Sequence, residues 1–146
     1  MANYFASRGW VVFSMDYRIK DDFGTIPQEW IDYSTNLDPV DIDVFSEVGQ
    51  FLAMYPAHRD VKAALRWVVA NADGYKISTN YITVGGGSAG AMIAVGIGIS
   101  TEEDYRNEIN VNEDNTLSAT HLEESYQIKT VLDFWGGKIS LDALEL

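Results

Sequence analysis

The stretch from Tyr81 to Ser100, YITVGGGSAGAMIAVGIGIS, constrains the fold more than any other part of the chain. Aromatic and β-branched residues suited to a pleated strand come first; Gly85-Gly86-Gly87-Ser88-Ala89-Gly90 follows; an apolar, small-residue segment without proline then runs to Ile99. The order predicts a strand, a sharp turn and a buried helix. Within it, Gly86-Gly87-Ser88-Ala89-Gly90 fits the G-x-S-x-G elbow, in which a serine sits on a strained strand-to-helix turn and glycines remove side chains that would collide. Ser88 is therefore the candidate nucleophile.

Composition narrows the remaining classes of function. Of the 146 residues 47% are hydrophobic, enough for one core, so a single domain or a piece of a larger one is expected and disorder is not. Twenty-two acidic residues stand against ten basic ones, giving a net charge of -12 and a pI near 4.3. Such a surface repels phosphate backbones and anionic membranes, so no nucleic-acid partner is expected. The absence of cysteine removes disulfides, thiolate zinc sites and cysteine nucleophiles but leaves the compartment open. The longest strongly apolar run, Ala89 to Ile99, is too short to span a bilayer, and MANYFASRG lacks a basic region followed by an apolar stretch. No carboxylate and histidine cluster has metal-ligand spacing, so no metal and no cofactor are expected.

Upstream of the glycine turn, Ala2 to Arg8 reads as a helix end stopped by Gly9. Trp10-Val11-Val12-Phe13-Ser14-Met15 reads as a strand, near 10–16, that is apolar on both faces and belongs inside a sheet. From Asp21 to Tyr55 acidic residues are interspersed with Trp30, Tyr33, Phe45 and Phe51, and prolines stand at 27 and 39. This reads as an acidic excursion with one short helix at Val44 to Met54, either lid-like or a plain solvated insertion. Pro56 starts a helix that extends to about residue 73, carried by Val61, Ala64, Leu65, Val68 and Ala72, with Gly74 after it. Thr101 to Gln127 reads as a long acidic loop with a short helix near Leu122 to Tyr126. Ile128 to Trp135 reads as a further strand broken by Gly136-Gly137, and Lys138 to Leu146 as the start of another helix. Strands near 10–16, 81–85 and 128–135 and helices near 56–73 and 89–100 together predict an α/β fold, a parallel sheet flanked by helices.

Two other readings compete for the glycine turn. Gly85, Gly87 and Gly90 also satisfy G-x-G-x-x-G, the dinucleotide fingerprint, which needs a further strand ending in an acidic residue about twenty residues on. Glu102, Glu103 and Asp104 come near that distance but follow the helix with no strand between. Alternatively, Ser88 is an ordinary helix cap at a close-packed turn. Two histidines are available as a base. His121 precedes the last strand and so falls near its N-terminal edge, away from Ser88, and reads as a surface residue. His58, at the start of a helix that follows the first strand, is the better placed, as a base or as a helix-terminus residue. Asp133 stands on the correct edge for an acid, yet no histidine follows it in the sequence. Trp67, Trp135 and the tyrosines read as core and rim packing.

Phe5-Ala6-Ser7-Arg8-Gly9-Trp10-Val11-Val12, Asp16-Tyr17-Arg18, Arg59-Asp60-Val61-Lys62-Ala63-Ala64-Leu65-Arg66-Trp67 with Asn71-Ala72, Gly86-Gly87-Ser88-Ala89-Gly90-Ala91 and Asp133-Phe134-Trp135-Gly136 together resemble the esterase/lipase branch, carboxylesterase-like, of the α/β-hydrolase superfamily. The resemblance implies that Ser88 attacks the carbonyl carbon of a small-molecule ester to form an acyl-enzyme, that the Ala89 backbone N–H is one oxyanion donor, and that Gly86, Gly87 and Gly90 permit the turn. It also implies that the Gly-rich loop of the HGGG type, the triad acid and the histidine are missing here, as in an internal fragment holding the family's fourth, fifth and sixth strands. In that family the third strand lies between the fourth and the fifth, so the resemblance implies either that the strands near 10–16 and 81–85 slide together or that unpaired edges stay open to self-association. A serine ester hydrolase and a catalytically incomplete or non-catalytic relative are the two functions that follow.

Overall fold

A computed structural model describes residues 1–22, 24–36 and 48–136. Along them run helices α1 (Ala2–Ala6), α2 (Gln28–Asn36), α3 (Val48–Ala70) and α4 (Ala72–Tyr75), strand β1 (Ile82–Gly87), helix α5 (Ala89–Ile99) and strand β2 (Ile128–Phe134). β1 and β2 are parallel neighbours, with Thr83 opposite Thr130 and Gly87 opposite Phe134. α5 packs on both strands and on α3. This is a partial α/β fold, as the alternation of strand and helix patterns predicts.

Local chemistry explains these elements. Ile82 and Val84 alternate with less buried neighbours along β1, the period of a strand with one covered face. Ala91, Met92, Ile93, Ala94 and Ile97 bury α5 on most sides, which suits a helix with no polar face to turn outward. A Cβ on Gly98 would stand 2.4 Å from Val131 Cγ2, so that glycine sets how closely α5 approaches β2. Leu65 and Ala57 of α3 complete this core. At the N-terminus Gly9, at φ +88°, ends the turn after α1 as expected.

Four expectations are corrected. The strand near 10–16 does not form: residues 10–19 join no ladder, and Trp10, Val11, Val12 and Phe13 are exposed. Phe13 lies edge-on to Trp67 and Tyr75, with ring centroids 6.0 and 5.5 Å away, and Arg18 is anchored on Asp60 at 2.7 Å. The segment thus runs along α3 without a strand beside it, and a strand sequence with no ladder to join gains no backbone pairing. Among the described residues β1 pairs with β2 on one side and with no strand on the other.

The second correction concerns α3, which begins at Val48 and carries Pro56 inside it. A proline forfeits one helix hydrogen bond, but Phe51, Ala53 and Tyr55 are buried before it and hold that first part in place. The short helix expected at Val44 to Met54 is the start of α3, and its residues 44–47 lie outside the described residues, as does the helix expected from Lys138. Third, the excursion holds more than the one short helix expected there. It contains α2, and Trp30, Phe51 and Tyr55 form a second core with Tyr105, Ile109 and Leu117. Fourth, Leu122-Glu123 is a turn and 124–126 have no regular structure, and a 3₁₀ turn stands instead at Asn115–Ala119, where Asp114 accepts the Thr116 N–H at 3.0 Å.

The 101–120 segment is held by a row of cations that periodicity alone does not disclose. Arg59, Lys62 and Arg66 lie on one face of α3 and are 4%, 1% and 2% exposed. Arg59 donates to the Ile109 carbonyl at 3.4 Å, Lys62 to the carbonyls of Thr101 and, at 2.8 Å, Asp104, and Arg66 to Thr120 at 2.7 Å. Burial lowers the Lys62 ammonium to about 8, against the opposing pull of Asp104 and Glu108.

The free edge of β1 and the exposed apolar side chains of Trp10 to Phe13 make self-association at rising protein concentration the expected outcome of size-exclusion chromatography with light scattering. Val11→Lys, placed on that exposed run, is expected to shift the population toward monomer. A wild-type protein that stays monomeric throughout would show that its own chain protects these edges.

Candidate active site

Ser88 is the hinge between β1 and α5. Its backbone stands at φ 53° and ψ -122°, outside the left-handed region that non-glycine residues tolerate, a conformation costing on the order of 1–3 kcal/mol. The turn is held on both sides. The Ser88 N–H donates to the Phe134 carbonyl at 3.1 Å, and the Ser88 carbonyl accepts from Ala91 and Met92 at 2.9 and 3.2 Å. Ser88 is exposed and its side chain makes no cap hydrogen bond, so the ordinary-cap reading is not what the turn displays. Ala89 opens α5, and its N–H is among the first helix donors that have no intrahelical acceptor. An exposed hydroxyl beside free N–H groups at the positive end of a helix is an arrangement that can stabilise a developing oxyanion.

The glycines divide by role. A Cβ on Gly86 would lie 2.4–2.8 Å from Gly90 backbone atoms, so only glycine lets strand and helix approach there. On Gly85 it would meet Leu132 Cβ at 2.8 Å, and on Gly87 the Trp135 indole at 3.0 Å. On Gly90 it would meet nothing within 4 Å, so the fold of this chain does not by itself require that glycine. The strained dihedrals fall on Ser88 and on none of these glycines.

The partners proposed from sequence are not brought together. His58 is neither a helix terminus nor near the turn: it sits inside α3, 1% exposed, with its ring stacked on Tyr105 at 4.7 Å. Its Nδ1 donates to the Met54 carbonyl at 2.6 Å, and its Nε2 faces Gly96, where a Cβ would come within 2.1 Å. Gly96 is eight residues along α5 from Ser88, about 12 Å of helix axis. His121 lies before β2, 3.8 Å from Glu123 and about 20 Å of strand from the elbow edge. Asp133 is opposite Gly86 in the ladder, on the elbow edge, and its Oδ1 accepts the Gly136 N–H at 2.7 Å. Burial lowers the His58 imidazolium to about 4, with Lys62 adding to the effect and the Met54 hydrogen bond opposing it.

The dinucleotide reading loses both halves. Glu102, Glu103 and Asp104 stand in turns after α5, with Glu102 accepting the Tyr126 N–H and Asp104 the Thr101 N–H. Gly87, where a pyrophosphate would approach, is covered by the Trp135 indole.

A family model described as BD-FAE matches residues 50–143. The chain belongs to the BD-FAE family. That domain lies in the α/β-hydrolase-like esterase group, in agreement with the coarser part of the resemblance. The match takes in most of α3, β1, the Ser88 turn, α5 and β2, and leaves the Phe5 to Arg18 part of the resemblance outside it. No curated protein and no solved structure matches the chain. Among the described residues of this BD-FAE chain, no group of three or more histidine, aspartate or glutamate residues could hold a metal, and no helix is long and apolar enough to cross a membrane.

Two predictions come from this geometry. Gly86→Ala is expected to lower stability by about 1–3 kcal/mol, whereas Gly90→Ala is expected to leave the denaturation midpoint nearly unchanged; urea titrations of the pair check this. His58 is held neutral in the folded chain and protonates near 6.5 when unfolded, so its contribution is complete above pH 6.5 and is lost as pH falls toward 4. At about 1.4 kcal/mol per pKa unit the loss is on the order of 3 kcal/mol. Calorimetry from pH 7 to 4 is expected to show a steeper fall in Tm for the wild type than for His58→Asn.

Proposed function

We propose that the chain carries the nucleophile of a carboxylic ester hydrolase, and that the strained, exposed Ser88 between β1 and α5 is that nucleophile. The observation that carries the proposal is the conformation of Ser88 itself, φ 53° and ψ -122°, in a BD-FAE domain. Ser88 Oγ attacks the carbonyl carbon, the carbonyl electron pair moves to oxygen, and the Ala89 N–H stabilises the oxyanion. Collapse expels the alcohol, which takes up the proton that left Oγ, and water then cleaves the acyl-enzyme to acid and free serine.

The proton needs an acceptor. Both histidines of the sequence are placed elsewhere, His58 inside α3 and His121 before β2, so the proposal assigns the base to neither of them. Asp133 stands on the right edge but has one oxygen committed to the Gly136 N–H, which makes it a loop-holding residue in this reading. The same placement of the histidines supports a second reading, a BD-FAE domain that keeps the elbow without catalysis.

The full gene product, incubated with a short-chain aryl ester and with a serine-reactive phosphonate, separates the two. The expected result is turnover and phosphonylation at Ser88, both falling by about a thousandfold or more in Ser88→Ala. Turnover that survives in Ser88→Ala would place the nucleophile elsewhere. A wild-type protein that neither turns over nor labels would establish the non-catalytic reading.

A further inference from the structure

Trp135 is used unlike Trp30, the buried tryptophan of the second core. Trp30 is 5% exposed and stacked in the second core, whereas Trp135 is 77% exposed although its indole touches the backbone beside Ser88. Contact with Gly87 is so close that a Cβ there would lie 3.0 Å from Cζ2 and 3.2 Å from Cε2. Sequence pattern assigned this residue to packing. The structure sets its Cζ2, Cε2 and Nε1 atoms beside Gly87 and leaves most of the ring open.

Its position is enforced. Trp135 holds a left-handed φ of 49°, unfavourable for a bulky residue. Two hydrogen bonds bracket it: the Ser88 N–H on the Phe134 carbonyl, one residue before, and the Gly136 N–H on Asp133 Oδ1, one residue after. A Cβ on Gly136 would also come within 2.9 Å of Ala91 Cβ, so the loop is seated against the first turn of α5. Strain, two hydrogen bonds and a glycine contact therefore all serve to keep an open indole one residue away from the candidate nucleophile.

We infer that the Trp135 indole is the wall against which the apolar substituent of a neutral ester rests while its carbonyl is presented to Ser88, which makes Trp135 a specificity-determining residue held in place by Asp133. The inference rests on the reading of Ser88 as nucleophile. A broad, flat apolar ring rewards burial of a carbon chain, and the adjacent Asp133 carboxylate, on a chain of net charge -12, disfavours an anionic substituent.

Two readouts on the full gene product test it and keep it apart from the reading it rests on. The indole N–H resonance of Trp135, assigned by its loss in Trp135→Phe, is followed during titration with 2-octanone, an unreactive ketone of ester-like shape. A saturable shift that persists in Ser88→Ala is expected. Separately, Ser88 labelling rates are measured with hexyl- and methyl-substituted phosphonofluoridates. The hexyl preference is expected to fall about tenfold in Trp135→Ala, the scale of one or two buried methylenes, and to return largely in Trp135→Phe. An unmoved resonance, or an unchanged hexyl preference in Trp135→Ala, overturns the wall. Failure of both probes to label Ser88 while the ketone still shifts Trp135 overturns the nucleophile and keeps the wall.

Discussion

Three buried cations on one face of α3 are the constraint on which the arrangement of the chain depends. Arg59, Lys62 and Arg66 reach the carbonyls of Ile109, Thr101, Asp104 and Thr120, groups in an irregular stretch that also lends Tyr105, Ile109 and Leu117 to the second core. Hydrogen bonds to charged donors are about twice as strong as neutral ones, and here they satisfy backbone acceptors that irregular structure would leave open. Desolvation lowers the pKa of all three cations, so they are held at a cost that the carbonyls and the acids around them offset. Arg59 and Arg66 each keep one Nη without a partner among the described residues.

The consequence reaches the elbow through the connection between α5 and β2. Pinning 101–120 to α3 fixes where the chain re-enters the sheet at Ile128, and the β1–β2 register then brings the Phe134 carbonyl to the Ser88 N–H and Asp133 opposite Gly86. Ser88 is strained because strand and helix meet at the closest approach that Gly86 allows, and the strain is sustained by packing of α5 against β1, β2 and α3. His58 belongs to that packing. Its ring fills the space between Gly96 and Tyr105, and the burial that makes it a good wedge makes it a poor base at neutral pH.

Much of the unit around Ser88 is legible in the residues themselves. Tyr81 to Ser100 announces strand, turn and helix because β-branched residues, a glycine cluster and a proline-free apolar run each have a single economical conformation in that order, and Ile128 to Phe134 announces its partner in the same way. Trp10 to Met15 carries an equally good strand pattern and is not a strand, because a pattern states what a segment would do beside a ladder and not whether one is there. Pro56 looks like a helix start, yet Phe51 and Tyr55 carry α3 past it, since their burial against Trp30 outweighs one missing hydrogen bond. The cation row is invisible to hydrophobic periodicity, which counts lysine and arginine as surface.

By itself, then, the sequence determined the α/β alternation, the identity of Ser88 as the residue at the turn, and the exclusion of thiol chemistry, because each follows from residue types and their spacing over a few neighbours. Only the tertiary structure decided that His58 is a core residue, that Asp133 braces a loop, that Trp135 stands open beside the turn, and which glycine of the five-residue motif the fold requires. The placements of His58 and Trp135 depend on segments 30 or more residues apart, His58 against Gly96 and Trp135 against Gly87, while the demands on Gly86 and Asp133 come from the exact path of the turns they belong to. Spacing along a chain reports a local conformation; the meeting of distant segments is set by how their buried surfaces and hydrogen bonds are jointly satisfied.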